Sequence, residues 1–281
     1  MQESSKKDFV EALARGLEVI RSFDRLHLKQ TISQISERTL LARPTVLRLL
    51  ITLEELGYVR SQDNNYSLTP KVVDLGMAYV SSLGLYGAAK PHMENLSKEV
   101  DQTVSLAELD GSDIVYTGRV EVPKIVSVGV TVGARLPSAS TALGRVLLAA
   151  IPDAELSNVL STPSLSMFIP RTRFTAEQIR PQLHSVREQG WAESDEDLQY
   201  GVQAIAAPLH GEDGRVVAAI GLGTHTSEIG KEIVRERYLP LLLETARSIE
   251  SDWSECRKLP TSETSLNMDG MQLLHLRRNS L

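Results

Sequence analysis

Residues 43–59 read RPTVLRLLITLEELGYV, and this stretch decides the N-terminal fold. Val46, Leu49, Leu50, Leu53 and Leu56 recur at three- and four-residue spacings, which predicts one buried face on a helix from Arg43 to Leu56. Pro44 is accepted in the first turn, where amides have no helical partner to lose. Gly57 ends the helix as a C-cap residue. Tyr58-Val59-Arg60 and Tyr66-Ser67-Leu68 flank a Ser/Gln/Asp/Asn turn and predict a β-hairpin. Upstream, Phe9, Val10, Leu13, Leu17, Ile20 and Phe23 share one face of a first helix, with Asp8 as its expected N-cap. A second helix starts at Thr31, with Ile32 and Ile35 inward and Ser33, Gln34 and Arg38 outward. Three helices, a short Leu40-Leu41 turn before the third, and then a hairpin make a winged helix-turn-helix.

In such a unit the third helix enters the major groove of DNA and the hairpin rides on the backbone. The third helix presents Arg43, Thr45, Arg48 and Thr52 on its polar face. Arginine suits bidentate contact with guanine, and threonine offers a hydroxyl and a methyl. The candidate DNA-binding residues are Thr31, Ser33, Gln34, Arg43, Thr45, Arg48 and Arg60, with Asn64 and Asn65 at the wing tip. The plainer alternative is a charged face that is only solvated.

Charge divides in the same place. Residues 1–71 carry 11 Lys/Arg against 9 Asp/Glu, whereas the rest carry 19 against 27. A slightly basic head on an acidic body fits a nucleic-acid contact confined to the head. With 5% aromatic residues the chain lacks the stacking platform of single-strand binders. A single cysteine, Cys256, excludes an internal disulfide and any CxxC metal site. No apolar run approaches the roughly 18 residues of a membrane span, and the N-terminus lacks a signal-peptide core. These features predict a cytoplasmic location and no membrane partner.

The organisation expected is a DNA-binding domain over 1–70, a linker helix over 71–87, a second domain over 88–256 and an unpatterned, disordered tail over 257–281. Gly84 and Gly87 are expected to interrupt the linker, with a helix following from Ala89 to Glu99. The second domain reads as strands at 104–109, 114–120, 125–132, 191–194, 202–208 and 216–221. Its helices fall at 141–151, 153–160, 176–189 and 231–255. Antiparallel hairpins mixed with helices define an α+β class.

Six scattered histidines form no ligand spacing, and no nucleotide loop or nucleophile elbow occurs, so no cofactor or metal is expected. The best candidate site is Ser138-Ala-Ser-Thr-Ala-Leu-Gly144. A loop of small residues feeding a helix N-terminus offers backbone amides and a positive dipole end to a carboxylate. Alternatively, Ser140 or Thr141 simply caps the helix. Arg135 and Arg145 flank the loop, Arg145 being better placed for a salt bridge; Glu196 and Asp197 are expected to face solvent.

Three segments resemble the isocitrate-lyase-regulator (IclR) family of bacterial transcription factors: 43–59, GARLPSASTALGRVLLA at 133–149, and GWAESDEDLQYGVQAIAAPL at 190–209. The resemblance spans residues 9–254. It implies a winged helix, a linker helix and a GAF-like α+β effector domain, assembly into homodimers or pairs of dimers, and no catalysis. The implied effector contacts are Val128, the amides of Ala142 and Leu143, Ser194, Val202, Ala204, Gly221 and Gly223, beside the loop's own Ser140, Thr141 and Gly144. Ala42 stands where a capping Ser is common, and positions 194, 204, 221 and 223 lack the side chains of members that bind small oxoacids. Gly221 and Gly223 leave room for a bulkier ligand. The 133–149 segment also resembles members that control aromatic-acid breakdown, which implies an aromatic carboxylate as effector. Two rivals are an enzyme acting on a small acid with an accessory winged helix, and a module that contacts protein instead of DNA.

Overall fold

The computed structural model describes residues 9–24, 26–123 and 130–258. The chain divides into two compact units between Ser82 and Leu83. In the first, α1 (Glu11–Arg21), α2 (Ile32–Thr39) and α3 (Arg43–Glu55) precede a hairpin of β1 (Val59–Gln62) and β2 (Asn65–Leu68). Thr31 caps α2 through a reciprocal capping box with Gln34, satisfying two donors that the helix start leaves open. Leu40, at φ +58°, closes α2 in the left-handed conformation. Asp63 and Asn64 both take positive φ, the requirement of a two-residue turn whose twist matches the strands. The core is Val19, Ile35, Val46, Leu50, Leu53 and Val59.

Two expectations about the apolar faces of this unit fail. Leu56 is 52% exposed, because α3 has already ended and Leu56 serves as its C-cap. The face of α1 is split: Ile20 and Phe23 pack on the core, but Phe9, Val10, Leu13 and Leu17 are exposed. Periodicity reports that a face is apolar, not what covers it. The helix starts at Glu11 behind Val10, without a side-chain cap, and Asp8 lies outside the described residues.

The linker follows as α4 (Val72–Leu83). Gly84, at φ +63°, breaks the helix there, but Gly87 does not, lying inside α5 (Leu85–Val100). The second unit is built on a six-stranded antiparallel sheet ordered β5-β4-β3-β8-β7-β6. Its strands are β3 (Thr103–Asp110), β4 (Asp113–Val120), β5 (Arg135–Pro137), β6 (Ala192–Asp195), β7 (Val202–His210) and β8 (Val216–His225). One face carries Val104, Leu106, Ile205, Leu222 and their neighbours against α5 and the C-terminal helix α10 (Leu239–Lys258). The other packs Ala107, Ile114, Ala206 and Ala219 with residues of α6 (Ala142–Ala149), α7 (Asp153–Ser161) and α8 (Ala176–Gln189).

The strand expected over 125–132 is not found in its described part: Val130–Val132 is unpaired, and the strand beside β4 begins at Arg135, beyond Gly133 at φ +84°. β8 continues to His225 instead of stopping at Gly221. The final helix opens as a short α9 (Lys231–Ile233) and a π-turn over Val234–Tyr238 before α10. The expected tail beyond 258 lies outside the described residues.

Candidate functional site

In the first unit, α3 leaves Arg43 and Arg48 exposed, with Thr45 half-buried. Leu47, 39% exposed, and Ile51, 56% exposed, share this outward surface; they fall outside the apolar face that the sequence shows, and were missed because only polar residues were counted as contact candidates. The Thr52 hydroxyl bonds back to the Arg48 carbonyl at 3.0 Å. Thr31 and Gln34 spend their side chains on each other: Gln34 Oε1 accepts the Thr31 amide at 2.8 Å and the Gln34 amide reaches Thr31 Oγ1 at 3.4 Å. Ser33 is half-buried. Arg60 Nε donates to Ser67 Oγ across the hairpin at 3.1 Å. Glu54 fixes the wing to α3 by accepting the Ser61 hydroxyl at 2.5 Å and its amide at 2.8 Å, bonds that lower its carboxyl pKa.

Arg38, expected to point outward, reaches back: Nη2 lies 2.6 Å from Asp24 Oδ2 and Nε donates to the Ser22 carbonyl at 3.1 Å. Asp24 also accepts the Leu26 and His27 amides at 2.8 and 2.9 Å, and its Oδ1 lies 2.7 Å from His27 Nδ1. Burial alone would raise this carboxyl; the hydrogen bonds from His27 and Leu26 and the Arg38 charge outweigh it and hold the pKa at about 2.

The second unit holds a cavity of about 140 Å³ between the sheet and the start of α6. Strand register builds its floor. Thr103 faces Gly223, Gly223 faces Ala204 and Ala204 faces Ser194, a row of small side chains across four strands. In the next row Arg119 faces Ser105, Ser105 faces Gly221 and Gly221 faces Ala206. A bulge brings Arg119 into this row. The register slips between Leu106 and Ala107, leaving Thr117 extra on β4. Gly118 then turns to the α5 side, where an added Cβ would lie 2.6 Å from the Tyr86 ring, and Arg119 turns to the cavity.

Tyr116, Val130 and Leu136 wall the cavity, and Leu198, Gln199 and Tyr200 form its rim. Burial pushes the Tyr116 phenol up to about 12 despite the Arg119 charge, so it stays a neutral donor at physiological pH. Among the described residues, Arg119 is the arginine of the wall, which also carries His225 and Glu228; its Nε is bonded to Glu121 at 2.8 Å and its Nη1 to Ser105 at 3.1 Å. At the other side, Thr141 caps α6 by accepting the Gly144 amide at 3.1 Å. The amides of Ala142 and Leu143 come before the first that the helix can bond internally, and both residues line the cavity.

Two family models match this architecture: an IclR helix-turn-helix domain over residues 12–63 and the bacterial transcriptional regulator IclR C-terminal domain over residues 77–251. The chain belongs to the IclR family. It is a DNA-binding transcription regulator with an effector-binding C-terminal domain. The Pca regulon regulatory protein of Pseudomonas putida is 39% identical over 243 residues, 86% of this chain and 84% of that one. A Rhodococcus sp. RHA1 regulator structure matches with TM-score 0.77 and 40% identity, covering 88% of this chain and 100% of that one. The structure of an IclR homologue from Microbacterium hydrocarbonoxydans, complexed with 4-hydroxybenzoate, matches with TM-score 0.75 and 27% identity over 87% of this chain and 99% of that one.

Within this IclR fold, Ser140, Thr141, Ala142, Leu143, Ser194, Val202, Ala204, Gly221 and Gly223 all line the cavity. Gly144 does not: its amide belongs to Thr141, and an added Cβ would stand 2.1 Å from the Ser138 carbonyl oxygen, so its smallness serves helix packing. The Ser140 hydroxyl is committed to the Thr172 carbonyl at 2.7 Å. Val128 lies outside the described residues. Gly221 leaves no room, since Leu143 Cδ2 sits 3.0 Å from where its Cβ would be; above Gly223 the nearest atom is 3.9 Å away.

Neither flanking arginine serves the cavity. Arg135 pairs with Asp110, and Arg145 bonds the Ala139 and Glu193 carbonyls at 3.1 and 2.7 Å and Asp197 at 2.7 Å. Asp197, expected in solvent, is thereby mostly buried, its side chain 17% exposed. Glu196 is likewise engaged, taking φ +55° and accepting the Gly201 amide at 3.0 Å. These bonds brace the loop that carries the rim.

Proposed function

We propose that this regulator senses a small aromatic carboxylate in the cavity, and that occupancy shifts a dimer between arrangements that differ in operator affinity. One observation carries the reading: a 140 Å³ space floored by small residues and bounded by a cation and a helix start. A cavity of about 150 Å³ accepts a benzene ring. The relatives support the class, one being named for the Pca regulon and another complexed with 4-hydroxybenzoate.

In this reading Arg43, Thr45 and Arg48 meet base edges, with Leu47 available for thymine methyl contact, and Arg60 meets the backbone. Operator half-sites related by a two-fold axis call for two copies of the head. The exposed Phe9, Val10, Leu13 and Leu17 suit self-association through α1. No described helix is long and apolar enough to cross a membrane. A DNA partner places the protein in the cytoplasm.

Turnover is not part of the reading. The Ser227 hydroxyl lies 2.7 Å from His225 Nδ1, but Ser227 is not in the cavity wall, so a bound acid would not meet it.

The test is selection of genomic fragments on the purified protein, with and without 4-hydroxybenzoate. A few palindromic promoter fragments whose retention changes with the acid are expected. Retention that ignores sequence under both conditions overturns the operator reading. Equal acid binding by wild type and a cavity-filled Gly223→Leu variant overturns the cavity reading.

A further inference from the structure

Among the described residues of the wall, the start of α6 and Arg119 are two places for an anion, and the geometry favours the second. We propose that Arg119 is the specificity-determining residue of the cavity, pairing with the carboxylate of the aromatic acid while the ring lies over Gly223. This rests on the cavity reading above.

Arg119 is nearly enclosed, its side chain 12% exposed, yet its acidic partner Glu121 is 58% exposed. A pair with one member in water is weak, so Glu121 does not exhaust the charge. Among the described residues, Arg119 lies over the Tyr116 ring at 5.8 Å, and its bonds to Glu121 and Ser105 use two of the five N–H donors of a guanidinium. A carboxylate accepts the remaining fork in the bidentate geometry that makes such pairs strong. The helix start offers only partial charge, roughly half a unit. Its Leu143 also fills the space over Gly221, whereas the space over Gly223 is open. Gly223 and Arg119 lie two strands and one row of alternate residues apart, about 12 Å at ordinary strand spacing and rise, which a benzoate and an extended arginine side chain bridge together. The Tyr116 phenol and Gln102 line the same cavity as neutral partners.

The experiment is calorimetric titration of the full chain with 4-hydroxybenzoate and with the uncharged 4-hydroxybenzamide. Three proteins are compared: wild type, Arg119→Gln and the cavity-filled Gly223→Leu. Wild type should prefer the acid. Arg119→Gln should lose about ten- to a hundred-fold in acid affinity, the worth of a charge-assisted hydrogen bond, and leave amide affinity within a few-fold. A merely structural role for Arg119 weakens acid and amide alike and overturns the proposal. So does unchanged acid affinity, which assigns the carboxylate to α6. Acid binding that Gly223→Leu leaves intact, or no acid binding by wild type, fails the cavity reading instead. If the glutamine variant unfolds, Arg119→Lys is titrated: weaker acid binding with intact amide binding is expected, and unchanged acid binding overturns the assignment.

Discussion

At Gly144 no side chain fits. A Cβ there would press into the Ser138 backbone, which is held by its own amide and hydroxyl bonds to the Ser112 carbonyl at 3.0 and 2.7 Å. Gly144→Ala should cost about 1–3 kcal/mol, the usual price of overpacking, seen as a lower urea midpoint at unchanged slope. An unchanged midpoint would mean that α6 shifts freely. Asp24 makes a prediction about pH. Its carboxyl titrates near 2 in the folded head, against 3.8 ordinarily, so its contribution to stability is complete above the unfolded value and is lost as pH falls through about 2. Asp24→Asn should therefore destabilise the head at neutral pH, with the gap to wild type closing toward pH 2; a gap independent of pH removes the ionised form from the account. At this scale the sequence was legible where the cause is local. Thr141 caps α6 as its neighbours suggest, because a cap needs only the next three residues. Arg119 was hidden because one extra residue at Thr117 reverses the strand's inside–outside alternation. Asp197 was hidden because its partner, Arg145, lies 52 positions away.

Among the elements, α3 and the hairpin follow from short-range rules: Pro44 near the helix start, Gly57 at its end and a two-residue turn of left-handed formers. The outward side of α3 yields a direct test. Arg48→Ala should weaken operator binding by about 1–3 kcal/mol per site if it meets a base, and lower the salt slope by about one if it meets phosphate. Filter binding across a salt series separates the two, and wild-type binding at every salt removes Arg48 from the interface. Legibility ends where an element depends on a distant neighbour. The three residues of β5 are too few for a period, and they pair with β4 only after the intervening segment. Gly87 resembles Gly84 in sequence, but α5 runs through it, and no atom approaches the place of its Cβ. The apolar face of α1 was legible as a face, while its exposure was not.

At the scale of the whole molecule, the basic head and acidic body coincide with the two units that meet at Ser82 and Leu83. That division has a calorimetric consequence. Scanning should resolve two heat-absorption steps, the first unit melting earlier because a smaller unit buries a smaller fraction of its surface. A ligand at a hundred times its dissociation constant adds about 2.7 kcal/mol to the state that binds it. 4-Hydroxybenzoate should therefore raise the second step and leave the first in place; a single step moving as one would show that the units melt together. With separate steps, warming disables the part that reads the operator while the part that holds the acid stays folded. The thermal ceiling on regulation is then set by the head alone, and effector abundance does not lift it.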